Sequence, residues 1–412
     1  MHLGLLEVLQ CPSCGGSLSI EESDSSQWRD AELLEGLVRC RCSHYPVLAG
    51  IPILLANHAV QEALHWFETE DKDQALVTML GLKEPGHEEM RRLAASGARL
   101  SFRHTVHCLC EQAEGEYLIH RFADPTYRVS KASLHALGSD AQRFSRPVLD
   151  LCGGTGHLTR VLCRTFRRNP VMLADRDFWK LWLSKRTTAP DCLPVCCDAE
   201  RPLPFKSHAF SLIVCSDAFH YIESKSSLVL EISRVLEQMG LLVVSHLHNA
   251  ACQNYSAGTP LHPEEYRELF SELGGKLFEE SALLDMLLAC RTLDLSEDCS
   301  DQVLHSEAAL MLIAGRVDGL LRRYDLPRVR RCGTSAQINP LYRTEWENGK
   351  LALQLQFPSV QYELEFGASK RYLPARVELN SESIGRLVGG LWDAALEELA
   401  DRYVLLDLPD NY

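Results

Sequence analysis

Between residue 146 and about residue 290 the chain alternates short β-branched runs with helical stretches, and no other feature constrains its fold as tightly. PVLDL, PVMLAD, LPVCCD, FSLIVCS and GLLVVSH are separated by helical patterns. That is the signature of βαβ units, in which parallel strands are covered on both faces by crossover helices. An α/β fold with a Rossmann-like doubly wound sheet is therefore expected over 146–315. Ligands of such sheets gather beyond the carboxyl ends of the strands, so the residues that follow each run are the candidate site.

The first run continues as VLDLCGGTGHLT. Gly153, Gly154 and Gly156 allow a sharp turn from strand to helix and let backbone N–H groups come close to a ligand. A dinucleotide-binding turn would want its third glycine where Thr159 stands, and a phosphate loop would want Lys followed by Ser or Thr. Neither pattern is present. Three acids instead close three successive strands: Asp150, Asp175 and Asp198. This set suits S-adenosylmethionine, which has no phosphate but carries an ammonium, a ribose and an adenine. Asp150 would serve the ammonium side and the glycine amides the methionine moiety. Asp175, with Arg176 beside it, would hold the ribose hydroxyls, and Asp198 would accept from the adenine amino group with Ala199 at the ring. The alternative is a turn and three acids that only cap and bend the chain.

Residues 146 to about 250 resemble class I methyltransferases of the small-molecule type, on the order Asp150, Asp175, Asp198 and on the run LPFKSHAFSLIVCSDAFHYI. Two departures are Cys152, in place of the commonest first glycine, and Ser211, in place of the usual aspartate after Phe210. The resemblance implies methyl transfer from S-adenosylmethionine to a small-molecule or carrier-tethered acceptor, as in natural product biosynthesis. Acceptors in this fold face the ends of the fourth and fifth strands, where Ser216, Asp217, His220 and Tyr221, then His246, His248 and Asn249, stand close together. Ser216 is a candidate cofactor contact; His220, Tyr221 and His246 are the candidate catalytic residues. Imidazole titrates near neutrality, which suits His220 to proton transfer or positioning; capping a helix is the alternative. His246 and His248, two apart on an extended segment, are expected to point to opposite faces.

Near the start, CPSC places Cys11 and Cys14 at CxxC spacing and CRC places Cys40 and Cys42 at CxC spacing. Four thiolates on two short knuckles suit tetrahedral Zn²⁺, and a segment of this size gains little from apolar burial alone. Incidental buried cysteines, a redox pair, or His44 in place of Cys42 are the alternatives. The stretch from LLEVLQCPSCGG to YPVLAGIPILL resembles the small zinc-ribbon proteins that activate tRNA and rRNA methyltransferases. That resemblance implies a structural ribbon (1–58) set against a methyltransferase, here in the same chain.

Residues 60–145 carry helical periodicity and are expected to cap the pocket. Residues 316–412 read as a C-terminal α+β module, with LALQLQF and VQYELEFG as a hairpin around Pro358 and Ser359 and SIGRLVGGLWDAALEELADRY as one helix. Its role is open between docking a partner, shaping the entrance and forming a homodimer. A formal net charge of -14 argues against nucleic acid as a partner. Two basic runs, RTFRRNP and LLRRYDLPRVRR, read as solvated surface. RNA-base methylation and a non-catalytic cofactor-binding scaffold are the competing functions; the chain has SDAFHY where an Asn-Pro-Pro-aromatic motif would be expected for the former. No apolar run approaches the roughly 20 residues of a membrane span, and the start lacks a basic, then apolar, leader. With 16 cysteines, many inside apolar runs as reduced thiols would be, a cytoplasmic setting is expected.

Overall fold

The computed structural model describes residues 1–23, 26–83, 87–96, 99–317, 319–327 and 336–412. At its centre lie seven strands: β1 (Val148–Leu151), β2 (Val171–Asp175), β3 (Leu193–Cys196), β4 (Phe210–Ser216), β5 (Leu236–His248), β6 (Lys276–Glu279) and β7 (Ala309–Ala314). Their order across the sheet is β3-β2-β1-β4-β5-β7-β6. The first five are parallel, while β7 runs antiparallel to both β5 and β6. The helices that matter to the site are α1 (Gln112–His120), α2 (Pro125–Gly138), α3 (His157–Thr165), α4 (Phe178–Arg186), α5 (Lys225–Val235) and α6 (Glu280–Cys290). Both faces of the sheet are buried, as unbroken apolar runs require. Leu149, Ile213 and Val244 face a cluster that includes Val229 and Ile232 of α5, whereas their neighbours Val148, Leu212 and Val243 face one that includes Leu134 of α2 and Leu162 of α3.

The N-terminal segment forms a small antiparallel sheet, with Glu32–Arg39 and His44–Leu48 at its centre. It is packed on the outer edge of β3. Ile53 pairs in parallel with Cys196, the Leu54 N–H donates to the Cys196 carbonyl at 2.7 Å, and Gln10 N–H donates to the Pro204 carbonyl at 3.0 Å. Leu5, Leu9, Val47 and Leu54 share one core with Val195 and Phe205 of the central domain. The exposed edge of the sheet is thereby covered.

Helices from His58 to Gly138 follow and reach over the carboxyl edge of the sheet. The C-terminal module packs against them: the Tyr412 hydroxyl donates to the carbonyls of Leu118 and Ile119, at 3.1 and 2.6 Å, while its ring stacks on Phe102 at 4.6 Å. Two expectations about this module fail. Lys350–Leu355 pairs with the preceding Tyr342–Glu347, turning at Asn348 and Gly349. Val360–Phe366 is a helix capped by Ser359, whose Oγ accepts the Tyr362 N–H at 3.2 Å. Period-two spacing also contains i, i+4 pairs; Tyr362 and Phe366 make the buried stripe while Val360 and Leu364 are exposed. The second failure is the single helix, which divides into Ser381–Val388 and Ala394–Asp401: Gly390 takes φ +66 between them, and Asp393 caps the second through the Leu396 N–H at 2.9 Å. Of the basic run near residue 325, Arg328, Arg330 and Arg331 lie outside the described residues.

Among the described residues no helix is long and apolar enough to cross a membrane, and no cysteine forms a disulfide.

Candidate active site

The turn after β1 is held by its own backbone and by β2. Gly156 N–H donates to the Gly153 carbonyl at 3.0 Å, and Gly154 N–H donates to Asp175 Oδ2 at 2.9 Å. Gly156 takes φ +79, and a Cβ there would lie 2.1 Å from Ser184 Oγ of α4, so glycine is required for both conformation and space. Cys152, at φ +58, adopts a glycine-like conformation as well. Its position is the one where the first glycine was expected.

The three strand-end acids line up along one edge. Asp175 accepts the N–H groups of Gly154 and Asp177, both at 2.9 Å, and stays half-buried. Asp198 accepts the Glu200 N–H at 2.9 Å and is half-buried beside Ala199. Asp150 is buried, accepts the Thr159 hydroxyl at 2.6 Å, and has its carboxyl pushed up to about 7, chiefly by burial, with nearby Asp175 adding to the rise. Gly153 closes over it: a Cβ there would meet Asp150 Cγ at 2.6 Å. Arg176 is exposed at the rim.

Beyond β4 and β5 a second group converges. Asp217, at φ +54, directs Oδ1 towards His246 Nε2 at 3.9 Å and His248 Nε2 at 3.7 Å. The two histidines therefore do not face opposite sides of the strand. β5 is irregular in register between Val244 and Leu247, and His246 sits within the irregularity at φ +54, which turns its ring to the side of His248. His220 is buried and stacks on His248 at 3.9 Å and 9° between ring planes; Tyr221 beside it is 52% exposed. None of the ring nitrogens of His220 and His248 has a hydrogen-bond partner among the described residues. Burial and the neighbouring His248 push His220 down to about 3.

Residues from outside the sheet complete this end. The Tyr117 hydroxyl of α1 donates to Asp217 Oδ2 at 2.9 Å, and His246 Nδ1 is 3.0 Å from Glu280 Oε2 of α6. Burial opposes a charge on His246, but Glu280 and Asp217 outweigh it and raise the imidazole to about 9. Arg121 contacts both oxygens of Asp124 at 2.8 Å, lies 3.8 Å from Asp217 Oδ2, and donates to Ser216 Oγ at 3.2 Å. Burial alone would raise Asp217; His246, His248 and Arg121 hold it well below the usual carboxylate range. Ser216 also accepts from Ser245 at 2.8 Å and so faces the Arg121 group. Asn249 donates to the carbonyls of Leu304 and Glu307, both at 2.8 Å, and has a structural task. Tyr117 and Glu280 were not legible as site residues, since each is an ordinary member of a helix distant in sequence.

At the other end of the molecule Cys11, Cys14, Cys40 and Cys42 come together, with sulfur separations of 3.5 Å (Cys11 to Cys42), 3.9 Å (Cys14 to Cys40) and 3.3 Å (Cys40 to Cys42). His44 faces Glu21 instead, at 3.9 Å. Four sulfurs each about 2.3 Å from one tetrahedral ion would be roughly 3.8 Å apart, so the donor set fits Zn²⁺.

Residues 149–244 match the family model described as a methyltransferase domain. No curated protein matches the chain. Similar solved structures include a Haloferax volcanii complex of the Trm112 methyltransferase activator with a methyltransferase (18% identity, TM-score 0.35, 53% of this chain and 99% of that one). YcgJ from Bacillus subtilis is another (17% identity, TM-score 0.32, 44% and 98%). A third is the geranyl diphosphate C-methyltransferase of Streptomyces coelicolor, solved with Mg²⁺, geranyl-S-thiolodiphosphate and S-adenosyl-L-homocysteine (14% identity, TM-score 0.32, 43% and 76%). The matched stretch begins within β1 and ends within β5, spanning the glycine turn and all three strand-end acids; over these residues the chain is similar to a methyltransferase domain, carried on a Rossmann-like sheet.

Proposed function

We propose that the chain transfers a methyl group from S-adenosylmethionine to a small-molecule or carrier-tethered acceptor. One observation carries the reading: Asp150, Asp175 and Asp198 end three adjacent strands around a glycine turn whose Gly154 amide is held by Asp175. In this reading Asp175 accepts the ribose hydroxyls, with Arg176 at the rim, and Asp198 and Ala199 meet the adenine. Asp150 and the amides of Gly153, Gly154 and Gly156 serve the amino-acid end, and Ser216 borders the pocket through its contact with Arg121. The nucleoside supplies an electrophilic methyl group; the chain supplies orientation, exclusion of water and a place for the acceptor's proton.

The acceptor then lies against His220, Tyr221 and His246. Tyr117 and Arg121 of the helical cap contact Asp217 on this side, and a group covered in this way supports a small or tethered acceptor over a nucleic-acid duplex. Cys11, Cys14, Cys40 and Cys42 would hold a structural Zn²⁺, and their unpaired state supports a reducing, cytoplasmic setting.

Calorimetric titration of the zinc-loaded chain with S-adenosyl-L-homocysteine tests the reading. Saturable binding that weakens at least tenfold in Asp175→Ala is expected. No binding by the folded wild type would sink it.

A further inference from the structure

The group beyond β4 and β5 has the attributes of a metal centre. Asp217, His246 and His248 each place one ligand atom within 4.8 Å of the others. The gaps of 3.9 and 3.7 Å between Asp217 Oδ1 and the two Nε2 atoms are too long for hydrogen bonds. Ligand atoms about 2.0–2.2 Å from a shared ion are roughly 3.0–3.5 Å apart, so the two Asp217 gaps would close by a few tenths of an ångström around an ion, and the two imidazole nitrogens, within 4.8 Å of each other, by no more than about 1–2 Å.

The supports behind the ligands point the same way. Glu280 Oε2 holds His246 Nδ1 at 3.0 Å, the carboxylate–histidine arrangement that orients metal ligands, and the Tyr117 hydroxyl occupies Asp217 Oδ2 at 2.9 Å, leaving Oδ1 free. His248 is 5% exposed and neither of its ring nitrogens is hydrogen-bonded among the described residues, an unmet demand in a buried place. Asp217 and His246 both stand at φ +54, each conformation costing on the order of 1–2 kcal/mol, and it is this backbone that aims them at each other. Charge agrees as well. Asp217 and Glu280 bring two carboxylates into a buried space whose counter-groups are the histidines and Arg121, and Arg121 is shared with Asp124 at 2.8 Å.

We propose that Asp217, His246 and His248 bind one divalent first-row transition-metal ion on the acceptor side of the site. Two imidazoles and one carboxylate favour ions from Mn²⁺ to Zn²⁺ over Mg²⁺ or Ca²⁺, and three protein ligands leave positions open. An acceptor hydroxyl in an open position would lose its proton to water more readily, and its oxygen would form the new bond to the methyl carbon as the carbon–sulfur bond breaks. This role rests on the methyl-transfer reading; the binding of the ion does not.

The test adds Co²⁺ to the zinc-loaded full-length chain, whose cysteine site is already filled. Wild type should take up one further equivalent, with visible absorption of a nitrogen and oxygen ligand set, and binding should weaken at least tenfold in His248→Ala and in Asp217→Asn. Absence of saturable uptake by wild type, or uptake unchanged in both variants, overturns the proposal. Wild type alone can decide the first outcome, so a poorly folded variant does not shelter the idea. Binding of S-adenosyl-L-homocysteine, measured separately on wild type, shows whether a failure belongs to the metal or to the methyl-transfer reading.

Discussion

Gly154 donates its backbone N–H to Asp175 Oδ2 at 2.9 Å, so the residue proposed to hold the ribose also fixes the turn that would hold the amino-acid end. Asp175→Ala therefore removes two supports at once. Cofactor affinity should fall by roughly 1.5–3 kcal/mol, read by calorimetry, and Asp175→Asn, which keeps one acceptor oxygen, should lose less. Equal losses in the two variants would show that charge alone matters there.

Gly156→Ala should destabilise the folded chain by roughly 2–4 kcal/mol, because φ +79 disfavours any Cβ and Ser184 Oγ stands 2.1 Å from where it would be. Adding Ser184→Gly removes the clash while leaving the backbone cost, so denaturant melts of the double variant should recover part of the loss. No recovery would mean that the clash is not the main cost.

Asp150 gives the unliganded chain a pH dependence with a defined sign. Its folded value, about 7, lies above the ordinary 3.8, so the native state holds the proton more tightly than the unfolded chain. Its contribution is fully present below about 4 and is lost as pH rises through about 7. Thermal melts between pH 5 and 8 should show this decline in wild type, and Asp150→Asn, which cannot ionise, should flatten it. A decline of the same size in the variant would assign it to other groups.

Zinc should be needed to keep the N-terminal ribbon folded. Cys42→Ser is expected to lose the ribbon's equivalent of zinc on elemental analysis and to unfold at a lower temperature; full zinc content in this variant would move the ligand elsewhere. A chelator that strips wild type should reproduce the same drop.

The central sheet was legible because its information is local: each strand is a short apolar run, and each candidate acid closes one. The four cysteines were legible by spacing. What escaped reading depends on contacts between distant segments or on single backbone angles. His246 and His248 were expected on opposite faces from the period of a regular strand, and the irregular β5 with φ +54 at His246 reverses that. Glu280 opens α6 between Glu279 and Ser281 with nothing in its neighbours to mark it, and Tyr117 is tied to the site through its hydroxyl on Asp217. In the C-terminal module VQYELEF satisfies two periods at once, and only Ser359 as a helix cap decides between them.

The bond from Leu54 N–H to the Cys196 carbonyl joins residues far apart in the order of synthesis. Chains are made from the amino end and fold in pieces as they emerge, so the N-terminal segment, with the metal proposed for its four cysteines, can close before β3 exists. Its apolar residues Leu5, Leu9 and Leu54 must then wait uncovered until the central domain arrives. In that order of events the N-terminal segment would be the surface against which the outermost strand is laid down, and its apolar residues would stand uncovered in the interval between the two.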